Sequence, residues 1–228
     1  MTDRPRSMMI FAAGFGTRMG ALTRDLPKPM LPVAGRPMID SAISLAREAG
    51  LERVVTNTHY LAERLEPHLR AQDVHISREE TDILDTGGGL KAARPLLLPG
   101  PVVTMNPDAG WRGPNPVTLL LEHWRDEDDA LLLVVPMARA LGRKGGGDFT
   151  LTDDLLSRVG DHVYCGTQIL RPALLDAIPD RVFSLNRVWD GLIADNRLRA
   201  VEYPGEWCDI GHPEGLEIAS RMMAPGHV

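Results

Sequence analysis

Met9-Ile10-Phe11-Ala12-Ala13-Gly14-Phe15-Gly16-Thr17-Arg18-Met19-Gly20, closed by Pro27-Lys28-Pro29, is the stretch from which the rest of the chain is read. Residues 8–13 are an apolar run that predicts a buried strand, and it ends in a turn broken by Gly14 and Gly16 and followed by Arg18. Glycines let a main chain approach an anion and expose its N–H groups, and Arg18 and Lys28 add positive charge at the same edge. The stretch therefore predicts a phosphate- or nucleotide-binding loop after the first strand of an α/β domain. Two stricter fingerprints do not apply. G-x-G-x-x-G needs glycine where Met19 stands, and G-x-x-x-x-G-K-[ST] occurs nowhere.

Outward from that loop, strand-like and helix-like segments alternate. Residues 37–50 predict a helix, with Met38, Ile39, Ala42, Ile43 and Ala46 at three- and four-residue spacing and Gly50 as its stop. Residues 53–58 predict a strand. A helix through Leu61, Leu65 and Leu69 follows, in which Pro67 predicts a kink or break. Residues 74–77, 101–105, 130–137 and 162–170 predict further strands, and 116–125, 172–178, 184–194 and 214–223 further helices. Pro204-Gly205 predicts the turn of a closing hairpin between 201–203 and 207–210. Such alternation indicates βαβ units and a mainly parallel, Rossmann-like sheet flanked by helices on both faces, with a small acceptor-side subregion.

The 228 residues suit one domain, with a nucleotide-binding half over about 7–110 and an acceptor half over about 111–228. A net charge of −6 argues against a nucleic-acid partner, while a local basic cluster still serves a phosphorylated substrate. No apolar run reaches bilayer length and the first residues lack a signal-peptide layout, so no membrane partner and a cytoplasmic location are expected. Cys165 and Cys208 form no metal or redox unit and read as core residues. Asp126-Glu127-Asp128-Asp129 reads as a solvated loop, because adjacent carboxylates do not converge on one point. The Met-rich end at 222–223 reads as core rather than as a dimer face; monomer and homodimer both stay open.

The run A-A-G-F-G-T-R-M followed by L-P-K-P-M-L-P-V-A-G-R-P-M-I resembles the signature of the sugar-1-phosphate nucleotidyltransferases. That resemblance implies the nucleotide-diphospho-sugar transferase fold, with a nucleoside triphosphate on Ala12, Ala13, Gly14, Gly16 and Thr17, and with Arg18 and Lys28 on its phosphates. On local grounds Gly87-Gly88-Gly89 is a turn before a helix beginning at Leu90. The family's Leu-x-Thr-Gly-Gly segment makes Thr86, Gly87 and Gly88 candidates for base or ribose contact, with Glu80 beside them. Asn106-Pro107-Asp108 resembles the family's Asn-Gly-Asp, which implies Asn106 on the nucleotide and Asp108 on Mg²⁺. Pro107 stands in for the glycine and removes any contact made by that amide.

Gly147-Asp148-Phe149, at the end of a basic, glycine-rich loop over 139–147, resembles an acceptor-side segment, as does Ser184-Leu185-Asn186; Gly147, Asp148 and Asn186 are expected on the sugar. Trp207-Cys208-Asp209-Ile210-Gly211-His212-Pro213-Glu214 resembles the late Trp-x-Asp-x-Gly-x-Pro-Glu element, which implies Asp209 as the second Mg²⁺ carboxylate. The implied reaction joins a sugar 1-phosphate to a nucleoside triphosphate, giving an NDP-sugar and pyrophosphate by in-line attack at the α-phosphorus. Its attacking group is already an anion, so the chemistry asks for charge neutralisation and placement rather than a protein nucleophile. Among the family's branches, the short form with these motifs most resembles the N-acetylmuramate 1-phosphate uridylyltransferases. A mannose-1-phosphate guanylyltransferase-like enzyme and a catalytically idle homologue are the alternatives.

Overall fold

A computed structural model describes residues 4–224; residues 1–3 and 225–228, the two ends of the span assigned to one domain, lie outside the described residues. The first half runs β1 (Ser7–Phe11), β2 (Pro32–Val33), β3 (Arg36–Pro37), α1 (Met38–Glu48), β4 (Arg53–Thr58), α2 (Ala62–Ala71), β5 (His75–Arg78), α3 (Asp85–Ala93) and β6 (Val102–Met105). Then come β7 (Ala109–Arg112), α4 (Pro116–His123), β8 (Ala130–Pro136), β9 (Ala140–Leu141), β10 (Phe149–Thr152), β11 (Leu155–Arg158) and β12 (His162–Leu170). The last elements are α5 (Asn186–Ala194), β13 (Leu198–Glu202), β14 (Glu206–Asp209) and α6 (Pro213–Met223).

Nine strands form one sheet in the order β10-β11-β13-β8-β12-β6-β1-β4-β5. β1 lies parallel to β4 and β6, and β4 parallel to β5. β12 runs antiparallel to both β6 and β8, so the sheet is mixed where a mainly parallel one is read from the sequence. A parallel neighbour needs a long crossover, and no α-helix lies between β8 and β12 to carry one. Strand side chains alternate between faces. Met8 and Ile10 of β1 join Leu131, Leu133 and Val135 of β8 in one core, while Met9, Leu132 and Val134 point into the core on the other side. This double burial explains why these strands read as continuous apolar runs.

A smaller sheet, β7-β14-β9, carries the late motif, and α6 packs on it. Met222 is buried there with Met19, Met38, Cys208 and Ile210, which places the Met-rich end in the core as read from the sequence. The closing hairpin does not form. β13 pairs with β8 in the large sheet and β14 with β7 in the small one, because Tyr203 is buried and donates its hydroxyl to the Pro114 carbonyl at 2.9 Å, pinning the crossing chain.

Four further expectations change. Gly87, Gly88 and Gly89 lie inside α3 rather than before it. Pro67 does not end α2, whose Leu65 and Leu69 are buried on either side of it. β11, which has no counterpart in the sequence reading, hairpins with β10. Finally, Asp128 is not solvated: it accepts from the Arg125 amide at 2.8 Å and, through both oxygens, from Arg199 Nη1 at 2.7 and 2.6 Å. Both cysteines are buried and free. No helix among the described residues is long and apolar enough to cross a membrane.

Candidate active site

The glycine loop leaves the C-terminal end of β1, the edge at which parallel sheets present their ligands. The Ala12 amide donates to Asn57 Oδ1 at 2.8 Å, Asn57 Nδ2 donates to Glu79 Oε1 at 2.7 Å, and Glu79 Oε2 accepts from the Leu84 amide at 2.8 Å. This buried chain ties the loop to β4 and to the start of α3. Gly16 has φ +64, and a Cβ there would stand 2.9 Å from Lys28 Cβ, so only glycine lets the loop lie against Lys28. Gly14 meets nothing within 4 Å where a side chain would point. Thr23 Oγ1 donates to the Gly16 carbonyl at 3.1 Å, and Tyr60 donates to the Thr23 carbonyl at 3.0 Å, closing the loop on itself. The cavity so formed, about 320 Å³, is lined by Ala12, Ala13, Gly14, Gly16, Thr17, Arg18, Lys28, Thr86 and Asn106.

Asp108 belongs to this lining, and a second carboxylate, Asp209, stands next to it. Asp108 follows β6 and its Oδ2 accepts from Lys28 Nζ at 2.6 Å. Asp209 ends β14 opposite Ala109 of β7, and the Ile210 amide donates to the Asp108 carbonyl at 2.9 Å, so strand pairing brings the two aspartates together. Burial first, and then the charge of Asp108, push the Asp209 carboxyl above the usual carboxylate range; Arg143, Lys28 and Arg18 act against that shift. Arg143 Nη1 lies 3.9 Å from Asp209 Oδ2. A Cβ on Gly211 would sit 3.0 Å from Asp209 Oδ1 and 3.2 Å from Arg18 Nη1, which sets Asp209 and Arg18 on the same glycine.

A second cavity of about 310 Å³ is lined by both aspartates and by Asp148, Arg158, Tyr164, Gln168, Asn186 and Trp189 among others. Phe11, Arg18, Asp85, Thr86, Asn106 and Asp108 line both cavities. Asp148 accepts from Arg143 Nη2 at 2.8 Å and from the Tyr164 amide at 3.0 Å. Asn186 opens α5 and donates through Nδ2 to Ser184 Oγ at 3.0 Å.

Residues 8–190 match the MobA-like NTP transferase domain. The chain belongs to that family. This transferase is 36% identical to the N-acetylmuramate alpha-1-phosphate uridylyltransferase of Caulobacter vibrioides, over 98% of this chain and 99% of that one. It is 28% identical to a probable mannose-1-phosphate guanylyltransferase 1 of Oryza sativa subsp. japonica, over 94% of this chain and 63% of the longer relative. HddC from Yersinia pseudotuberculosis shares the fold at a TM-score of 0.75 and 21% identity, covering 95% of this chain and 99% of that chain. A putative glucose-1-phosphate thymidylyltransferase from Bacillus anthracis does so at 0.80 and 15%, covering 97% and 96%.

Four residues singled out in the transferase's sequence lie outside both cavities. The Gly87 and Gly88 amides both donate to the Phe183 carbonyl, at 2.9 and 3.1 Å, and a Cβ on Gly87 would come within 2.3 Å of the Phe183 ring. Those glycines serve close packing of α3 against residues 181–183. Glu80 is exposed and pairs with Arg78 at 3.3 Å. Gly147 packs on the Gly160 carbonyl, which a Cβ would approach to 2.3 Å. In the other direction, Asn57, Glu79, Arg143 and Arg158 belong to the site or its support without having been singled out. Arg143 alone carried a signal, as a basic residue in the glycine-rich loop.

Proposed function

We propose that the enzyme joins a sugar 1-phosphate to a nucleoside triphosphate, giving an NDP-sugar and pyrophosphate, with UTP and N-acetylmuramate 1-phosphate as substrates. One observation carries this reading. The glycine-loop cavity and the second cavity share Arg18, Thr86, Asn106 and Asp108, so a triphosphate in one faces a phosphorylated partner in the other. The name of the Caulobacter relative supports the uridylyl group and the N-acetylmuramate. The chain then works as one domain, residues 7–110 supplying most of the nucleotide half and 111–228 most of the acceptor half.

On this reading the backbone of Ala12, Ala13, Gly14, Gly16 and Thr17 follows the nucleotide, and Thr86 and Asn106 stand between nucleotide and sugar. Arg18 gives the triphosphate a permanent charge. Lys28, already desolvated beside Asp108, neutralises the oxygens nearest the α-phosphorus. No residue has to act as nucleophile or strong base, because the attacking phosphate is an anion; the chain supplies alignment and fixed positive charge. Asp148 and Asn186 hold the sugar from the far wall.

Asp108 and Asp209 fit a divalent cation. Both are oxygen donors on neighbouring strand ends, and the charge of Asp108 makes Asp209 harder to ionise, a conflict that a cation between them relieves. Mg²⁺ typically takes one or two carboxylates plus phosphates and water, and no cluster of three or more possible His, Cys, Asp or Glu ligands occurs among the described residues. When bound there, Mg²⁺ supplies charge neutralisation on the phosphates.

The test is pyrophosphate release across a panel of nucleoside triphosphates and sugar 1-phosphates with Mg²⁺. Release with UTP and N-acetylmuramate 1-phosphate, and with neither alone, supports the reading. Turnover of GTP with mannose 1-phosphate instead favours a guanylyltransferase. Silence throughout favours an idle homologue, for which Pro107 in the cavity lining is the specific observation.

A further inference from the structure

The wall of the second cavity carries one basic side chain without a task so far. Arg158, the last residue of β11, holds its guanidinium 4.9 Å from the Phe149 ring centroid and 5.7 Å from that of Trp189. The two rings meet edge to face at 5.9 Å, and Trp189 is anchored by Nε1 donating to Gln168 Oε1 at 2.9 Å. A guanidinium packed on two fixed rings keeps its charge and presents its N–H edges in a set plane. Nε donates to Asp190 Oδ1 at 2.8 Å, Nη2 lies 2.7 Å from the same oxygen in an ion pair, and Nη2 donates to the Asn186 carbonyl at 3.3 Å. Nη1 has no partner among the described residues.

A tie from β11 to α5 explains this arrangement only in part. The Asp190 side chain is 61% exposed, and an ion pair to so wet a carboxylate adds little stability. The adjoining backbone is strained as well. Val159 has φ +66, a left-handed conformation costly for a β-branched residue, while its own side chain is 83% exposed and buries nothing. What the strain secures is the end of β11: the Val159 amide donates to the Asp148 carbonyl at 3.1 Å, and Thr150 Oγ1 donates to the Val159 carbonyl at 2.8 Å. The charge of Asp148 is meanwhile compensated by Arg143. A permanent cation with an open N–H edge is thus held rigidly on the sugar side of the cavity.

We propose that Arg158 binds a carboxylate carried by the sugar, so that the acceptor is an acidic sugar 1-phosphate. This rests on the sugar 1-phosphate reading above. The ligand carboxylate takes the open N–H groups of Nη1, while Asp190 keeps the Nε–Nη2 fork and the Asn186 carbonyl the other Nη2 hydrogen. Because the cation is already shared with Asp190, it suits a monoanion, and the phosphate stays at Arg18 and Lys28.

The test is steady-state kinetics with N-acetylmuramate 1-phosphate and N-acetylglucosamine 1-phosphate, which differ by the lactyl carboxylate, for the wild type, Arg158→Met and Arg158→Lys. The wild type is expected to prefer the acidic sugar. Arg158→Met should cut that preference in kcat/KM roughly ten- to hundredfold, mostly through KM, and Arg158→Lys should restore part of it. Equal losses for both sugars would mean a structural tie and overturn the proposal. A wild-type preference for the neutral sugar would overturn it too, with nucleotidyl transfer left standing. No pyrophosphate from either sugar would overturn both readings together. Asp190→Ala provides a check that leaves Arg158 in place: it frees the Nε–Nη2 fork and should lower KM for the acidic sugar several-fold. An unchanged KM would count against the proposal.

Discussion

Lys28 Nζ lies 2.6 Å from Asp108 Oδ2, joining the glycine loop to the end of β6 across 80 residues of sequence. The ammonium assigned to the triphosphate is therefore already neutralised by a carboxylate assigned to the metal. Substrate and Mg²⁺ must divide that pair between them. Asp108→Asn should then separate binding from turnover. By calorimetry in Mg²⁺-free buffer, the variant is expected to bind UTP at least as tightly as the wild type, because Lys28 is released. Its Mg²⁺-dependent turnover is expected to fall by about 10²–10³-fold. Undiminished turnover would remove Asp108 from the metal.

Lys28→Ala should lower kcat/KM by about 10²–10³-fold, the usual effect of deleting one preorganised charge at a reacting phosphoryl group. Its effect on stability should be small. The Asp108 side chain is 28% exposed and hydrates readily once its partner is gone. Thermal melting of the variant beside its kinetics checks both halves.

Gly14 and Gly16 should behave differently although they are two residues apart. Gly16→Ala places a methyl group against Lys28 Cβ and requires a left-handed backbone, so it is expected to cost about 1–2 kcal/mol in urea unfolding. Gly14→Ala meets no protein atom and should unfold with the wild type. If Gly14 faces the triphosphate, this second variant should nevertheless raise KM for UTP, and an unchanged KM would take Gly14 out of the cradle.

Asp209→Asn should raise the stability of the metal-free protein, since it removes a partly buried carboxylate whose pKa is pushed up by desolvation and by Asp108. The same change should abolish stabilisation by Mg²⁺ and UTP. In the wild type the melting temperature is expected to rise with Mg²⁺ and UTP together, as binding to the folded state alone requires. A wild-type-sized shift in Asp209→Asn would contradict the two-carboxylate site.

Far from the cavities, Arg199→Met should destabilise strongly without altering the kinetics of the folded fraction. It leaves the Asp128 carboxylate, whose side chain is 1% exposed, buried without its cation. Breaking a pair in that way costs about 3–5 kcal/mol, which denaturant unfolding would register.

Much of this architecture is legible in residue patterns. Val54-Val55 and the run from Ala130 to Val135 announce strands buried on both faces, and the spacing of Ile39, Ala42, Ile43 and Ala46 announces α1. The opening loop shows its anion chemistry because glycine and arginine act through local backbone geometry. What stays hidden depends on distant partners. Three consecutive glycines argue against a helix at about 1 kcal/mol each, and only packing against Phe183, Asn57 and Glu79 puts them into α3. Asp128 looks solvated until Arg199, 71 residues on, reaches it. Pro204-Gly205 has the chemistry of a turn, but the strands it separates belong to different sheets. Arg158 carries no local signal, since its role comes from rings at 149 and 189.

The central claim is that a sugar phosphate oxygen attacks the α-phosphorus of a triphosphate held on the glycine loop. Supplying N-acetylmuramate 1-phosphate labelled with ¹⁸O in its non-bridging phosphate oxygens, with unlabelled UTP and Mg²⁺, tests it by mass spectrometry of the products. All of the label is predicted in the UDP-sugar and none in the pyrophosphate. Labelled pyrophosphate, or release of UMP with the sugar phosphate unchanged, would contradict the account.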